Sequence, residues 1–146
     1  MPLYNPAFIA GGDIFPARFV RITGEFTVSQ CSASTQSIIG VSQEGTFAPP
    51  NLATLLGGTE SKLAASVVNG TGQSLKVFGL GDVCMITTGT GGATAGTKLK
   101  SDADGKAVNI GTAAGTYNVG GTALNTVNAG EKVLIQVNPH VVVISA

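Results

Sequence analysis

Glycine decides what this chain can become. It fills 21 of the 146 positions and recurs between short apolar stretches along the whole length. That is about twice the usual share for a globular domain. Each glycine inside a helix costs roughly 1 kcal/mol relative to alanine, so a chain interrupted this often cannot sustain long helices. The same residue is at home where a tight turn demands a positive φ. Short strands joined by glycine-bearing turns are the structure this pattern favours, and that is the signature of an all-β sandwich or barrel.

The segments between the glycines agree. Phe19, Arg21 and Thr23 alternate with Val20 and Ile22, and Gly24 marks a turn or bulge before Glu25–Val28. Ser37–Ser42 reads as a short apolar strand. Ser74–Phe78 carries Leu75 and Val77 in alternation, and Asp82–Thr88 follows as the next strand. Gly89–Gly96 is a glycine-rich turn, and Thr97–Ser101 is again a strand. Asp104-Gly105 is a hairpin dipeptide returning the chain into Ala107–Ile110. Thr116–Val119 leads to a Gly120-Gly121 break. Lys132–Val137 is the clearest strand, and beyond Pro139 the run Val141–Ile144 closes the sheet. One short helix at most is expected, at Pro50–Leu56, bounded by Gly57-Gly58. A weak internal echo, Ile39–Ser42 before Ser74–Val77 and Val119–Leu124 before Lys132–Ile135, reads as a duplicated β unit.

Residues 1–12 differ from the rest. Pro2, Pro6, Gly11 and Gly12 punctuate them, with Tyr4 and Phe8 between. An extended N-terminal arm is expected here, followed by a single β domain over residues 13–146. Tyr4, Pro6 and Phe8 are its candidate contact residues. The alternative is that the two aromatics fold back onto their own core. No basic n-region precedes an apolar core at the N-terminus, so no secretory signal is expected, and no run is long enough for a membrane helix.

Charge narrows the functional classes. Eight Lys and Arg balance eight Asp and Glu, and charged residues are 11% of the chain. A nucleic-acid binder needs a basic excess to neutralise phosphates. A disordered chain would combine low hydrophobicity with high net charge. Soluble monomers usually keep their net charge away from zero, so a neutral, weakly charged surface suits a protein that associates. The other explanation is a monomer covered in Thr, Ser, Asn and Gly.

Chemistry-bearing motifs are few. Gly91–Lys98 approaches a phosphate-binding loop, but Thr97 precedes Lys98 where such a loop needs the reverse order before a helix. Asp102-Ala103-Asp104-Gly105 begins like a calcium loop, yet the later ligands are missing, and a hairpin turn accounts for it. His140 is the single histidine and has no nucleophile motif beside it. Cys31 and Cys84 form no zinc-type pair and sit among small or apolar residues. Buried thiols are expected, with a disulfide as the alternative. No catalytic residue, metal, cofactor or small-molecule substrate is assigned, and the chain is not expected to be an enzyme.

One ordered series of segments carries a resemblance. Arg18–Gly24 and Ile39–Ser42 come first. Gly81-Asp82 then leads to Thr94-Ala95-Gly96-Thr97-Lys98-Leu99, which runs directly into Lys100–Val108. Gly121–Leu124 and Ala129–Ile135 follow. This order resembles the capsid decoration, or cement, proteins of tailed bacteriophages, over Arg18 to Val137. The resemblance implies a β-rich, non-enzymatic protein on the outside of the virion, made in the host cytoplasm. It would form a homotrimer that clamps neighbouring subunits of the major capsid protein. The segments Pro49–Leu56 and Pro139–Ala146 lie outside the pattern. A phage head-fibre or tail-associated subunit is the second reading. A carbohydrate-binding β module is the third, weakened by the absence of Trp and the presence of only two Tyr.

Overall fold

Alternating burial organises the chain into strands. The computed structural model describes residues 8–43 and 74–145, and every regular element among them is a β-strand. The first sheet contains β1 (Phe8–Ala10), β2 (Phe19–Gly24), β3 (Thr27–Gln30), β4 (Gly40–Ser42), β5 (Ser74–Leu75) and β6 (Val77–Phe78), in the order β5-β1-β3-β2-β4-β6. The second contains β7 (Val83–Thr87), β8 (Lys98–Ser101), β9 (Ala107–Asn109), β10 (Gly115–Ala123) and β11 (Lys132–Ile144), in the order β7-β11-β10-β8-β9. All strand pairs are antiparallel except β1 with β3.

The architecture is all-β and sandwich-like, with neither sheet closed into a barrel. Both sheets nonetheless curl strongly. The outer strands of the first, β5 and β6, are separated only by Lys76 but do not pair with each other. The edges of the second meet through one isolated bridge, Thr88 to Ala107.

β2 explains how the layers hold together. Phe19 and Val20 are neighbours on one strand and both are fully buried, so they point into different cores. Phe19 joins the larger cluster between the sheets, with Val41, Ile86, Leu99, Val133, Ile135 and Val137. Val20 joins a smaller cluster enclosed by the first sheet, with Ala10, Ile14, Val28, Leu75 and Val77. The backbone of Phe19 also donates to the Gly105 carbonyl at 2.8 Å, tying β2 to the β8–β9 turn.

Several expectations need correction. The expected arm is a strand over its described part: Phe8–Ala10 pairs with β3 on one side and β5 on the other. Ala10 is buried and Phe8 half-buried in the smaller cluster, and that burial holds the segment in the sheet. Residues 1–7 and the helix candidate at Pro50–Leu56 lie outside the described residues. Glu25-Phe26 is a turn rather than strand, and pairing slips between Ile22 and Gly24. Ser74–Phe78 divides at Lys76, because its two halves serve opposite edges.

Gly120-Gly121 stays inside β10. A Cβ at Gly120 would overlap the Phe19 ring, and one at Gly121 would overlap the Gln136 carbonyl, so these glycines permit close approach. β11 runs unbroken through Pro139. Val137 faces Gly121 and His140 faces Val119, which leaves Asn138 and Pro139 opposite Gly120 alone. A bulge is where a strand tolerates a residue with no N–H. The two echoing segments each pair antiparallel with the strand they lead into, β4 with β6 and β10 with β11, while the strand orders around them differ.

Candidate interaction surface

Among the described residues, those singled out in the sequence are not gathered into a site. Tyr4 and Pro6 lie outside the described residues. Phe8 stands opposite Leu75 and packs against the smaller core cluster. His140 Nδ1 lies 2.6 Å from the Asn138 carbonyl, so this nitrogen carries the proton. Nε2 then accepts from Lys98 Nζ at 3.0 Å. Both ring nitrogens are thus committed. The groove beside it, between Ser37-Ile38 and Pro139–Val141, holds about 170 Å³. That is below the several hundred Å³ typical of small-molecule sites. Among the described residues no three His, Cys, Asp or Glu side chains come together as a metal site.

Other motifs have structural work. Asp102 Oδ1 accepts from the backbone amides of Asp104 at 2.8 Å and Lys106 at 2.9 Å. The carboxylate therefore closes its own turn, with Gly105 at φ 73°. A Cβ on Gly105 would lie 2.8 Å from Gln30 Cγ and 3.2 Å from the Phe19 carbonyl, so only glycine lets this turn seat on β2. Gly91-Gly92 turns into an isolated bridge, Ala93 to Val127, and then into β8 rather than a helix. Asp82 Oδ2 accepts from the Gly79 amide at 2.9 Å, capping the turn before β7. The residues that carry the family resemblance thus build turns and dock one sheet on the other.

Cys31 and Cys84 are both buried thiols in the larger cluster. Burial pushes the Cys31 thiol up to about 11, against a smaller downward pull from the Arg21 guanidinium. A thiol held protonated at neutral pH is a poor nucleophile.

The outer face of the second sheet carries apolar side chains that the core does not use. On β7, Cys84 and Ile86 point inward, which turns Val83 and Met85 outward. On β11, Val133, Ile135 and Val137 point inward, which turns Lys132, Leu134 and Gln136 outward. The register places Leu134 beside Met85 and Gln136 beside Val83. Val83 is 54% exposed. Leu124 adds a further exposed apolar side chain close by, its amide donating to the Leu134 carbonyl at 2.8 Å. Across the same sheet, Lys98 and Lys100 flank the buried Leu99 on β8. Lys98 meets His140, and Lys100 Nζ sits 4.9 Å from the centre of the Tyr117 ring. The face therefore passes from a mainly apolar half on β7 and β11, edged by Lys132, to a basic half on β8. The sequence held a signal for it: Val83–Ile86 and Val133–Ile135 are apolar in both phases of a strand, where a half-solvated strand is apolar in one. A second exposed apolar group, Ile9, Ile22 and Phe26, lies on the first sheet.

No family model matches the chain, and no curated protein matches it. Among solved structures, the chain is similar to the crystal structure of the head fiber gp8.5 N base in bacteriophage phi29. The TM-score is 0.49 and the identity 14%, covering 92% of this chain and 93% of that one. At that level of likeness the match bears on neither the fold nor the role of this chain.

Proposed function

We propose that this chain is a non-enzymatic structural protein of a tailed-phage virion. In this reading it sits on the outside of the capsid as a homotrimer and ties neighbouring major capsid protein subunits together. One observation carries the reading. The ordered series from Arg18 to Ile135 that resembles the capsid decoration proteins falls on the turns and contacts that specify the fold, such as Asp102–Gly105 against Phe19. A resemblance located at fold-determining positions is the kind expected of a shared architecture.

The surface supports it. A neutral chain with exposed apolar side chains on the outer face of its second sheet is suited to association. Many identical weak contacts on a closed lattice sum into large stabilisation. The carbohydrate reading gains no support from Tyr117, since Lys100 covers a face of its ring. Tyr4 and Pro6 are proposed as further contacts with a neighbouring subunit, in a segment punctuated by Pro2 and Pro6.

The test is co-sedimentation of the purified protein with assembled shells of the major capsid protein of the same phage, with mass measurement in solution. Saturable binding at many sites per shell by a trimer is expected. A monomer that stays in the supernatant overturns the reading. Occupancy confined to a few positions would favour a head-fibre subunit instead.

A further inference from the structure

The outer face of the second sheet combines two features that point to one kind of partner. Its apolar half, Val83, Met85 and Leu134, covers no core of its own. Its basic half presents Lys98 and Lys100, whose neighbours are an imidazole and a phenol ring rather than carboxylates. Of the carboxylates in this sheet's loops, Asp82 and Asp102 cap their own turns and Glu131 accepts from the Asn128 amide at 3.1 Å, while Asp104 is exposed in the β8–β9 turn, beyond Lys98 and Lys100. The face thus offers positive charge beside apolar surface. Charge complementarity selects a surface with carboxylates next to an apolar patch.

We infer that this face is where the protein seats on the capsid, and that its partner is an acidic-rimmed apolar patch on the major capsid protein. The inference rests on the proposed function and names the surface that performs it. Apolar contact supplies affinity, and the lysines orient the molecule and speed its capture.

The experiment uses the full chain and expanded shells lacking it. Lys98→Glu/Lys100→Glu is expected to weaken binding at least about tenfold, with a shallower salt dependence, and Lys98→Gln/Lys100→Gln to weaken it less. Met85→Thr/Leu134→Thr should also lose binding, without changing the salt dependence of what remains. Ile22→Glu, on the first sheet, is expected to bind like the parent. Circular dichroism establishes that each variant is folded, and hydrogen exchange on the parent should show β7 and β11 protected by shells. If the parent binds and both second-sheet variants bind equally well, the inference fails and the proposed function stands. If the parent does not bind, both fail. Loss confined to Ile22→Glu would move the interface to the first sheet and overturn the inference.

Discussion

The missing side chain at position 120 sets how closely the two sheets approach. The Phe19 ring occupies the place a Cβ would take, and Phe19 is fully buried. Gly120→Ala must therefore displace an aromatic ring at the centre of the larger core. Overpacking of this kind costs about 1–3 kcal/mol, and a drop in melting temperature measured by circular dichroism checks it. Read along the sequence, Gly120-Gly121 signals a turn, because the ring that demands the space is remote in the chain. Cys31 gives a second residue-level test. Its thiol is protonated up to about pH 11 in the folded protein, chiefly through burial. Unfolded, it ionises near an ordinary pKa of about 8.5. The unfolded state thus releases its proton first, so stability is full below about pH 8.5 and declines between there and about pH 11. Denaturant unfolding across this range should show a steeper decline for the parent than for Cys31→Ala.

At the scale of elements, the β8–β9 hairpin was the most legible part of the chain. Asp104-Gly105 reads as a turn from its dipeptide alone, and the turn forms there, closed by Asp102. Local chemistry sufficed because the strands it joins are adjacent and pair at once. Asp102→Ala removes the acceptor for two backbone amides and should cost about 1–2 kcal/mol by chemical denaturation. Calcium is expected to leave the melting temperature of the parent unchanged, since the Oδ1 that would greet it already serves the turn. β1 was illegible for the opposite reason. Three residues flanked by Pro6 and Gly11 look like an arm, and their partners β3 and β5 come later in the chain. Likewise, nothing local announces that Ser74–Phe78 divides between two edges. Deleting Met1–Pro6 leaves Phe8–Ala10 in place. The expected outcome is an unchanged melting temperature with reduced shell binding in the sedimentation assay, and unchanged binding would remove Tyr4 and Pro6 from the contact.

The whole molecule has two cores and one strand common to both. β2 sends Phe19 into the cluster between the sheets and Val20 into the cluster inside the first. An alternating strand over those residues was visible in the sequence, and so was the all-β class. The partition into two cores was not, because it depends on the first sheet curling until β5 and β6 reach opposite edges. With β2 shared, loss of either core removes a wall of the other. Phe19→Ala should cost about 3–5 kcal/mol, and the loss should not stay local. Native-state hydrogen exchange offers the check. Val28 packs in the smaller cluster and Val133 in the larger. Their amides are expected to lose protection together in Phe19→Ala, and to follow a single transition in denaturant. If Val133 lost protection while Val28 kept it, the two sheets would unfold as separate units and β2 would not couple them.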